Sequence, residues 1–450
     1  MRLLCLTSNE FCTAADPADV RRQVEAQLQA AQRSRKAYPH AYRAEGYKVL
    51  HVGSGSFAKH DRRHHQSDHN YVWTVLDVRT PAATPTVGVA AAATPPKHPV
   101  DVYVACFQEM FIRSSLHPSQ TKTARTMDAV LRAHGLGHRY EVESTGIVGE
   151  ANLTSFGKRR KRMGLGLYVW SRAPLAEQTA LKAASLHRKT RTSTKRMLRQ
   201  VLIGPRFTLT VGNVHLPMKE NLRMDGKGVD PTNPMRQQMR NTMLAKALHS
   251  MDVDHALKHE VTRRSRTRRR SRGGRRAPSR RRSRALYTLP ASPESYVNVV
   301  QTRDMLSGTD RDVPYAHPHV PAGWGDIVYE WLTRAPSEAF CPTCEFVHDR
   351  PLAVGASDGT AGNAHGWDDV PEVPVDVKPK AWKVEAAGSP YKLIKKRSYN
   401  VPSYCDRVLV RVRTGARGGG PHVQLLVGDM NYRVLPGAFV ERNKMTTKKR

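Results

Sequence analysis

Short apolar runs that stop abruptly at polar residues recur along this chain. The most distinct run extends from Val423 to Val427 and passes through a glycine to Asp429 and Asn431. A continuous β-rich run predicts a strand buried on both faces. Residues two apart in an extended chain point the same way, so Asp429 and Asn431 are predicted to project together. A carboxylate beside an amide suits phosphate chemistry, because one can orient water and the other can donate to a phosphoryl oxygen. An ordinary strand followed by an Asx turn is the alternative for these residues.

Other stretches also consist of an apolar run with polar residues at or beside its end, and these polar residues could contribute to one site. We predict strands within 3–9, 67–78, 100–111, 164–172, 207–217 and 392–412. The polar residues at or beside their ends are Asn9, Asp68, His69, Glu109, Asn213, His215, Asp406 and Arg407. Helical composition over 18–37 and 234–248 predicts two helices between these strands.

The charge of the chain indicates an anionic partner. The 450 residues carry a net charge of +34 at pH 7, and the pI is near 10.3. Nucleic acid, an acidic membrane face and a phosphorylated small molecule all satisfy this charge. The length allows one large α/β domain or two smaller domains. Six cysteines without regular spacing are typical of reduced intracellular thiols and not of a disulfide framework.

The sequence contains no segment that predicts membrane insertion. No apolar run approaches the roughly 20 residues that span a bilayer. The N-terminal apolar run is too short for a secretory signal, so we interpret it as a strand. We therefore expect a cytoplasmic protein without a signal peptide or transmembrane helix.

Three stretches lack the periodicity of helices or strands and are predicted to be flexible inserts in a single domain, 1–450. They are 79–99, rich in Ala, Pro and Thr, 259–285, rich in Arg, and 353–379, rich in Gly, Asp and Pro. The second contains thirteen arginines between residues 263 and 284. Such a block repels itself and buries nothing, and the rest of the chain is still strongly basic without it.

One short motif suggests a metal. Cys341-Pro-Thr-Cys344 has the spacing of half a zinc site, but no second cysteine pair follows it. The motif therefore predicts zinc only weakly.

Together these strand ends resemble the inositol polyphosphate 5-phosphatases, a branch of the endonuclease/exonuclease/phosphatase superfamily. The most specific pieces are Gly-Asp-Met-Asn-Tyr-Arg at 428–433 and Pro-Ser-Tyr-Cys-Asp-Arg-Val-Leu at 402–409. The resemblance covers most of the chain outside the inserts.

The chain departs from the family pattern in three places. The Gly-Asp-x-Asn motif comes last and the Ser-Asp-His motif early, whereas the family has the first after its Asn-x-His-Leu strand and the second at the end. The family's Pro-Thr-Tyr-Lys segment corresponds to 342–345, where Glu345 replaces the cation. The family's Gly-Asn-Lys-Gly stretch is reduced at best to Lys195.

The resemblance implies an α/β sandwich of two packed, mixed β-sheets with helices on both outer faces. It implies a Mg²⁺ site with Glu109 and Asn9 as oxygen ligands. It also implies a catalytic group made of Asp429, Asn431, His215, His69, Asp406 and Asp68. Asp429 would orient the attacking water, and Asp406 would fix the tautomer of His69.

The resemblance further implies a phosphorylated substrate. Arg407, Tyr432, Arg433 and Asn213 would bind it, since arginine makes bidentate contacts with phosphate. The expected function is Mg²⁺-dependent hydrolysis of a phosphomonoester of phosphatidylinositol phosphates or inositol polyphosphates, at the 5-position. Peripheral contact with anionic membranes is expected as well.

Two alternatives remain open. A nuclease-like phosphodiesterase of the same fold would use the Arg-rich insert to bind nucleic acid. A catalytically inactive phosphoinositide-binding module would account for the displaced motifs and for Glu345. The active readings require eight residues to converge in one polar cleft, with His69 within hydrogen-bond reach of Asp406. These eight are Asn9, Asp68, His69, Glu109, His215, Asp406, Asp429 and Asn431.

Overall fold

The computed structural model describes about half of the chain. The described residues are 1–10, 15–34, 46–59, 67–79, 100–112, 122–147, 162–185, 196–216, 234–252, 306, 320–321, 323–332, 340–344, 402–413 and 420–432.

The first of two β-sheets has six strands and mixed direction. Its strands are β1 (Arg2–Asn9), β2 (Tyr47–Gly55), β3 (Tyr71–Val78), β4 (Val102–Ile112), β5 (His138–Ile147) and β6 (Arg162–Ser171). Their order in the sheet is β2-β3-β1-β4-β6-β5. Strand β1 pairs in parallel with β4 and antiparallel with β3.

The second sheet also has six strands. They are β7 (Ala176–Ser185), β8 (Arg196–Gly204), β9 (Phe207–His215), β10 (Gly325–Asp326), β11 (Asp406–Arg413) and β12 (His422–Asp429). Their order is β10-β11-β12-β9-β8-β7, and only β12 and β9 are parallel. The two central strands, β9 and β12, are almost wholly buried, as their apolar sequences predict.

Four helices accompany the sheets in the described part of the chain. They are α1 (Pro17–Arg33), α2 (Lys122–Ala133), α3 (Pro234–Ser250) and α4 (Ile327–Leu332). Helix α1 begins where Asp16 accepts hydrogen bonds from the backbone N–H groups of Ala18 and Asp19, with Pro17 in the first turn. None of the described helices is long and apolar enough to cross a bilayer.

The apolar side chains form three cores. The central core lies between the sheets, where Leu3 and Val104 of the first meet Val211 and Leu425 of the second. A second core joins the outer face of the first sheet to α1 and α2. A third joins the outer face of the second sheet to α3. The layers are therefore helix, sheet, sheet and helix, which confirms the predicted α/β sandwich.

The predicted helices are present as α1 and α3, with ends that differ by a few residues from the prediction. Of the predicted inserts, all of 79–99 except Arg79, and all of 259–285 and 353–379, lie outside the described residues. The single-domain organisation stays a prediction.

Gly428 sets the spacing between β12 and β9 just before the site. Its φ is +144°, and a Cβ built on it would lie 1.9 Å from the carbonyl oxygen of Val214. No other residue type fits this close backbone approach. Gly428 therefore fixes both the end of β12 and the position of Asp429.

We expect Gly428→Ala to lower the free energy of unfolding by about 3 kcal/mol, because the methyl group must push β9 away from β12. Urea unfolding followed by circular dichroism measures this change. Gly137→Ala is the matched control, since a methyl group added there would meet nothing within 4 Å. Equal stabilities of the two variants would contradict this account.

Candidate functional site

One row of the second sheet carries three of the predicted site residues. Asp406 of β11 is opposite Asp429 of β12, and Asp429 is opposite His215 of β9. The row exists because each of the three residues ends or begins its strand at the same edge of the sheet. Polar side chains from β9, β11 and β12 thus lie next to one another across the sheet, although β9 is far from β11 and β12 in sequence.

The first sheet brings a matching set of polar residues to the same edge, although Glu109 lies within β4 and not at its predicted end. Asn9 of β1 is paired with Gln108 of β4, so Glu109 follows directly beside it. The Ser67–His69 segment precedes β3, which is antiparallel to β1, and Ser67 Oγ donates to the carbonyl oxygen of Asn9 at 2.9 Å. The early position of the Ser-Asp-His motif in the chain therefore does not remove it from this edge.

Contacts across the two sheets join these sets. Asn9 Nδ2 donates to Asp429 Oδ2 at 3.4 Å. His215 Nε2 lies 3.4 Å from the same carboxylate oxygen and 3.6 Å from Glu109 Oε1. His215 and Asp429 are almost fully buried, whereas the Glu109 side chain is 20% exposed. Glu109 and Asp429 therefore lie on the same side of the molecule and converge on one imidazole.

His69 and Asp406 form a buried pair next to this cluster. His69 Nδ1 lies 2.9 Å from Asp406 Oδ2, so the expected contact is present. Burial by itself lowers the pKa of His69, but Asp406, Asp68 and Asp429 outweigh it and raise this pKa well above its ordinary value. Burial also raises the pKa of Asp406. The pair therefore keeps one proton to higher pH than an isolated imidazole would.

Two site residues have strained backbones. Glu109 and Asn431 are the only described residues other than glycine with positive φ, and φ is 51° at both. Glu109 lies at an irregularity where β4 shifts its register against β6 between Phe107 and Met110. A non-glycine residue in this conformation costs about 1 to 3 kcal/mol, so the surrounding contacts must hold it.

Hydrogen bonds hold Asn431 in place. Its backbone N–H donates to Asp429 Oδ1 at 2.9 Å, and its Nδ2 donates to the carbonyl oxygen of Leu216 at 2.5 Å. The buried guanidinium of Arg240, on α3, donates to the carbonyl oxygen of Asn431 and lies 5.8 Å from the ring centre of Tyr432. The Arg240 contact was not predicted, because a helical pattern does not show which loop a helix packs against.

Two residues predicted to bind substrate are turned into the protein. Arg407 is fully buried, where it pairs with Asp326 and donates through Nε to the carbonyl oxygen of Tyr404. Tyr432 is also fully buried, and its hydroxyl donates to Asn241 Oδ1 at 2.9 Å. These contacts argue against direct phosphate binding by either residue.

Asn213, the third such residue, connects the two sheets. Its Nδ2 donates to the carbonyl oxygens of Phe107 and Gly166 at 2.9 and 2.8 Å, and its Oδ1 accepts from Gln108 Nε2 at 2.7 Å. All of its side-chain hydrogen-bonding groups are thus used inside the protein. Asn213 therefore links β9 to β4 and β6, and these contacts argue against direct phosphate binding by its side chain. Arg433, the fourth predicted residue, lies outside the described residues, as do Glu345 and Lys195.

The oxygen atoms of Glu109 and Asn9 are of the type that binds a hard cation, although two ligands make a small set. Among the described residues, no group of three or more His, Cys, Asp or Glu side chains is arranged to hold a metal. Mg²⁺ usually takes one or two protein carboxylates and keeps several waters, so a carboxylate and an amide oxygen fit its preference. Since Asn9 Nδ2 faces Asp429, Asn9 could offer Oδ1 to a cation beside Glu109. Cys341 and Cys344, the predicted half zinc site, are buried and form no disulfide.

Comparisons with known proteins find distant similarity only. No family model matches the sequence, and no curated protein matches it significantly. The chain is similar to an endonuclease/exonuclease/phosphatase family protein from Leptotrichia buccalis C-1013-b, with a TM-score of 0.19 and 13% identity over 26% of this chain and 42% of that one. It is also similar to the endonuclease/exonuclease/phosphatase from Beutenbergia cavernae DSM 12333, with a TM-score of 0.22 and 15% identity over 32% and 34% of the two chains. Each match spans less than half of either protein, and likeness at this level establishes neither family nor function.

We expect Asp406→Asn to lower the pKa of His69, because burial then favours the neutral ring and only Asp68 and Asp429 oppose it. In the wild type the proton on the pair contributes stability below the ordinary histidine pKa of about 6.5, and this contribution is lost as pH rises through the raised value. An NMR titration of the His69 ring, assigned with a His69→Gln variant, measures the shift. An unchanged His69 pKa in Asp406→Asn would show that Asp406 does not govern this ring.

Proposed function

We propose that this protein is a metal-dependent hydrolase of phosphate esters, acting as the inositol polyphosphate 5-phosphatases do. The observation that carries the proposal is the meeting of Glu109, His215 and Asp429 across two sheets, beside the His69–Asp406 pair. A buried group rich in carboxylates is costly unless it serves a cation or a proton transfer. Structural cores do not need such a group.

Glu109 and Asn9 are the proposed Mg²⁺ ligands. Asn9 ends β1, and Glu109 lies next to its pairing partner, at the irregularity within β4, in a strained backbone conformation. When bound, the ion would offset charge on the transferring phosphoryl group. The remaining chemistry belongs to the side chains around it.

Asp429 is the proposed group that orients the attacking water. It is fixed by the backbone N–H of Asn431 and by Asn9 Nδ2, so its carboxylate has a defined direction. His215 Nε2 would donate to a phosphoryl oxygen from its position between Asp429 and Glu109. Asn431 has a second amide hydrogen besides the one given to Leu216, and this hydrogen could serve the same purpose.

His69 is the proposed proton carrier. Because Nδ1 faces Asp406, Nε2 is the ring atom that would meet the substrate. The neighbouring carboxylates raise the pKa of His69, which suits a group that donates a proton to a phosphate or to a leaving oxygen. Asp68 adds to this effect from its place next to His69 in the chain.

The inositol substrate rests on the resemblance of the motifs. With Arg407, Tyr432 and Asn213 turned inward, Arg433 is the remaining predicted residue for a ring phosphate. Hydrolysis at the 5-position of a phosphoinositide or an inositol polyphosphate is therefore the specific form of the proposal. A nuclease-like phosphodiesterase is the second candidate, favoured by the net charge of +34 and the thirteen arginines at 263–284.

We expect Glu109→Gln to lose most of the rate of phosphate release from phosphatidylinositol 4,5-bisphosphate while the protein stays folded, because the substitution keeps the shape and removes the charge that holds the cation. Chelation of Mg²⁺ with EDTA should abolish release by the wild type. The same assay is run with inositol 1,4,5-trisphosphate as the substrate. Cleavage of single-stranded DNA is measured in parallel.

Glu25→Gln, on the outer helix α1, is the matched control and should keep full activity. Full turnover in excess EDTA would remove the metal from the proposal. Cleavage of DNA without release of phosphate from either inositol substrate would favour the nuclease-like candidate instead.

We expect deletion of 263–284 to weaken binding to vesicles of anionic lipid in a salt-dependent way, because each basic residue near such a surface contributes about 1 kcal/mol. Hydrolysis of soluble inositol phosphates should be unchanged. Sedimentation with vesicles at two salt concentrations measures the binding. A collapse of soluble hydrolysis in the deletion variant would mean that the block belongs to the fold or the site.

A further inference from the structure

A short segment from outside both sheets joins the two elements that carry the histidine–aspartate pair. Cys344 makes β-bridges with His69 on one side and with Ser403 on the other. The Cys344 N–H donates to the Ser403 carbonyl oxygen at 3.0 Å, and the Ser403 N–H donates back at 2.5 Å. The residue before Cys344 accepts from the Asn70 N–H at 2.8 Å. Thr343 and Cys344 therefore form a backbone clamp, which connects the loop that carries His69 to the residues just before β11.

Thr343 is the centre of this clamp. Its side chain is fully buried, and its hydroxyl oxygen accepts from the backbone N–H groups of Cys405 at 2.8 Å and Asp406 at 3.1 Å. The same hydroxyl donates to the carbonyl oxygen of Ser403 at 3.4 Å. A hydroxyl has one hydrogen to donate and two lone pairs to accept with, so Thr343 uses its full capacity here.

The contacts of Thr343 act on both halves of the pair. Its backbone carbonyl fixes Asn70, which follows His69, and its hydroxyl fixes the backbone of Asp406. Burial raises the pKa of Asp406, and the Thr343 hydroxyl acts in the opposite direction. Without the hydroxyl, the buried N–H of Asp406 would lose its acceptor, whereas the N–H of Cys405 would keep the carbonyl oxygen of Ser403, 3.1 Å away. The backbone that carries the Asp406 carboxylate would then be held less firmly beside His69.

We propose that Thr343 is a positioning residue that holds Asp406 and the His69 loop at hydrogen-bonding distance. This inference rests on the proposed function only for its effect on turnover. The positioning itself can be measured without any substrate. Since the threonine acts through its hydroxyl, serine should replace it and valine should not.

The test compares Thr343→Val with Thr343→Ser. In Thr343→Val the amide of Asp406 should exchange with deuterium about tenfold faster, because it has lost its acceptor. With whichever phosphate ester the wild type hydrolyses, kcat should fall about tenfold while KM stays within about twofold, since the substrate contacts remain. Thr343→Ser should stay within about threefold of the wild type in both measurements.

Thr74→Val is the matched control. Thr74 is also fully buried, and its hydroxyl donates to the carbonyl oxygen of His51 at 2.9 Å, away from the pair. It should lose similar stability and keep its kcat. Thr343→Ala, measured in the same way, takes the place of Thr343→Val if the valine variant does not fold.

Three results would overturn the inference. These are unchanged amide exchange in both Thr343→Val and Thr343→Ala, a serine variant as impaired as the valine variant, or an equal loss of kcat in Thr74→Val. A wild type that hydrolyses no phosphate ester would defeat the proposed function, and the exchange measurement would still decide the role of Thr343.

Discussion

A single buried amide fixes the distance between the two sheets at the site. Asn213 spans from β9 to the backbone of β4 and β6 and also accepts from Gln108, the neighbour of Glu109. Hydrogen bonds are strong where water is excluded, and an unpaired polar group there is costly. The two sheets therefore have one preferred position relative to each other, which is their stacking register. Glu109 from one sheet can meet His215 and Asp429 from the other only because this register is kept.

The same edge stores backbone strain. Glu109 and Asn431 have left-handed backbones, and Gly428 near them permits an approach that no side chain would allow. Such residues persist where the structure around them determines them fully, and they cluster at functional sites. Here the register irregularity in β4 and the buried Arg240 provide that support. The strain lies on the groups with the most direct proposed chemistry.

Charge explains why two histidines lie among the carboxylates of the site and why the proposed mechanism includes a cation. Glu109, Asp429 and Asp406 would repel one another in a low dielectric, and His69 and His215 each lie against at least one of them. A proton on the His69–Asp406 pair offsets part of the charge. The cation proposed beside Glu109 would offset more of it.

The sequence by itself determined the central strands and the polar residues at their ends, because a buried strand needs a continuous apolar run and such a run is local information. It did not reveal β2, β5, β7, β8 or β10. In β2 and β8, glycines and charged residues interrupt the apolar pattern. Only the tertiary structure decided what each polar end contacts. It turned Arg407 and Asn213 inward, and it placed Thr343, 63 residues before Asp406, against the backbone of Asp406. Hydrogen bonds between distant segments depend on how the sheets stack, and no local pattern encodes that.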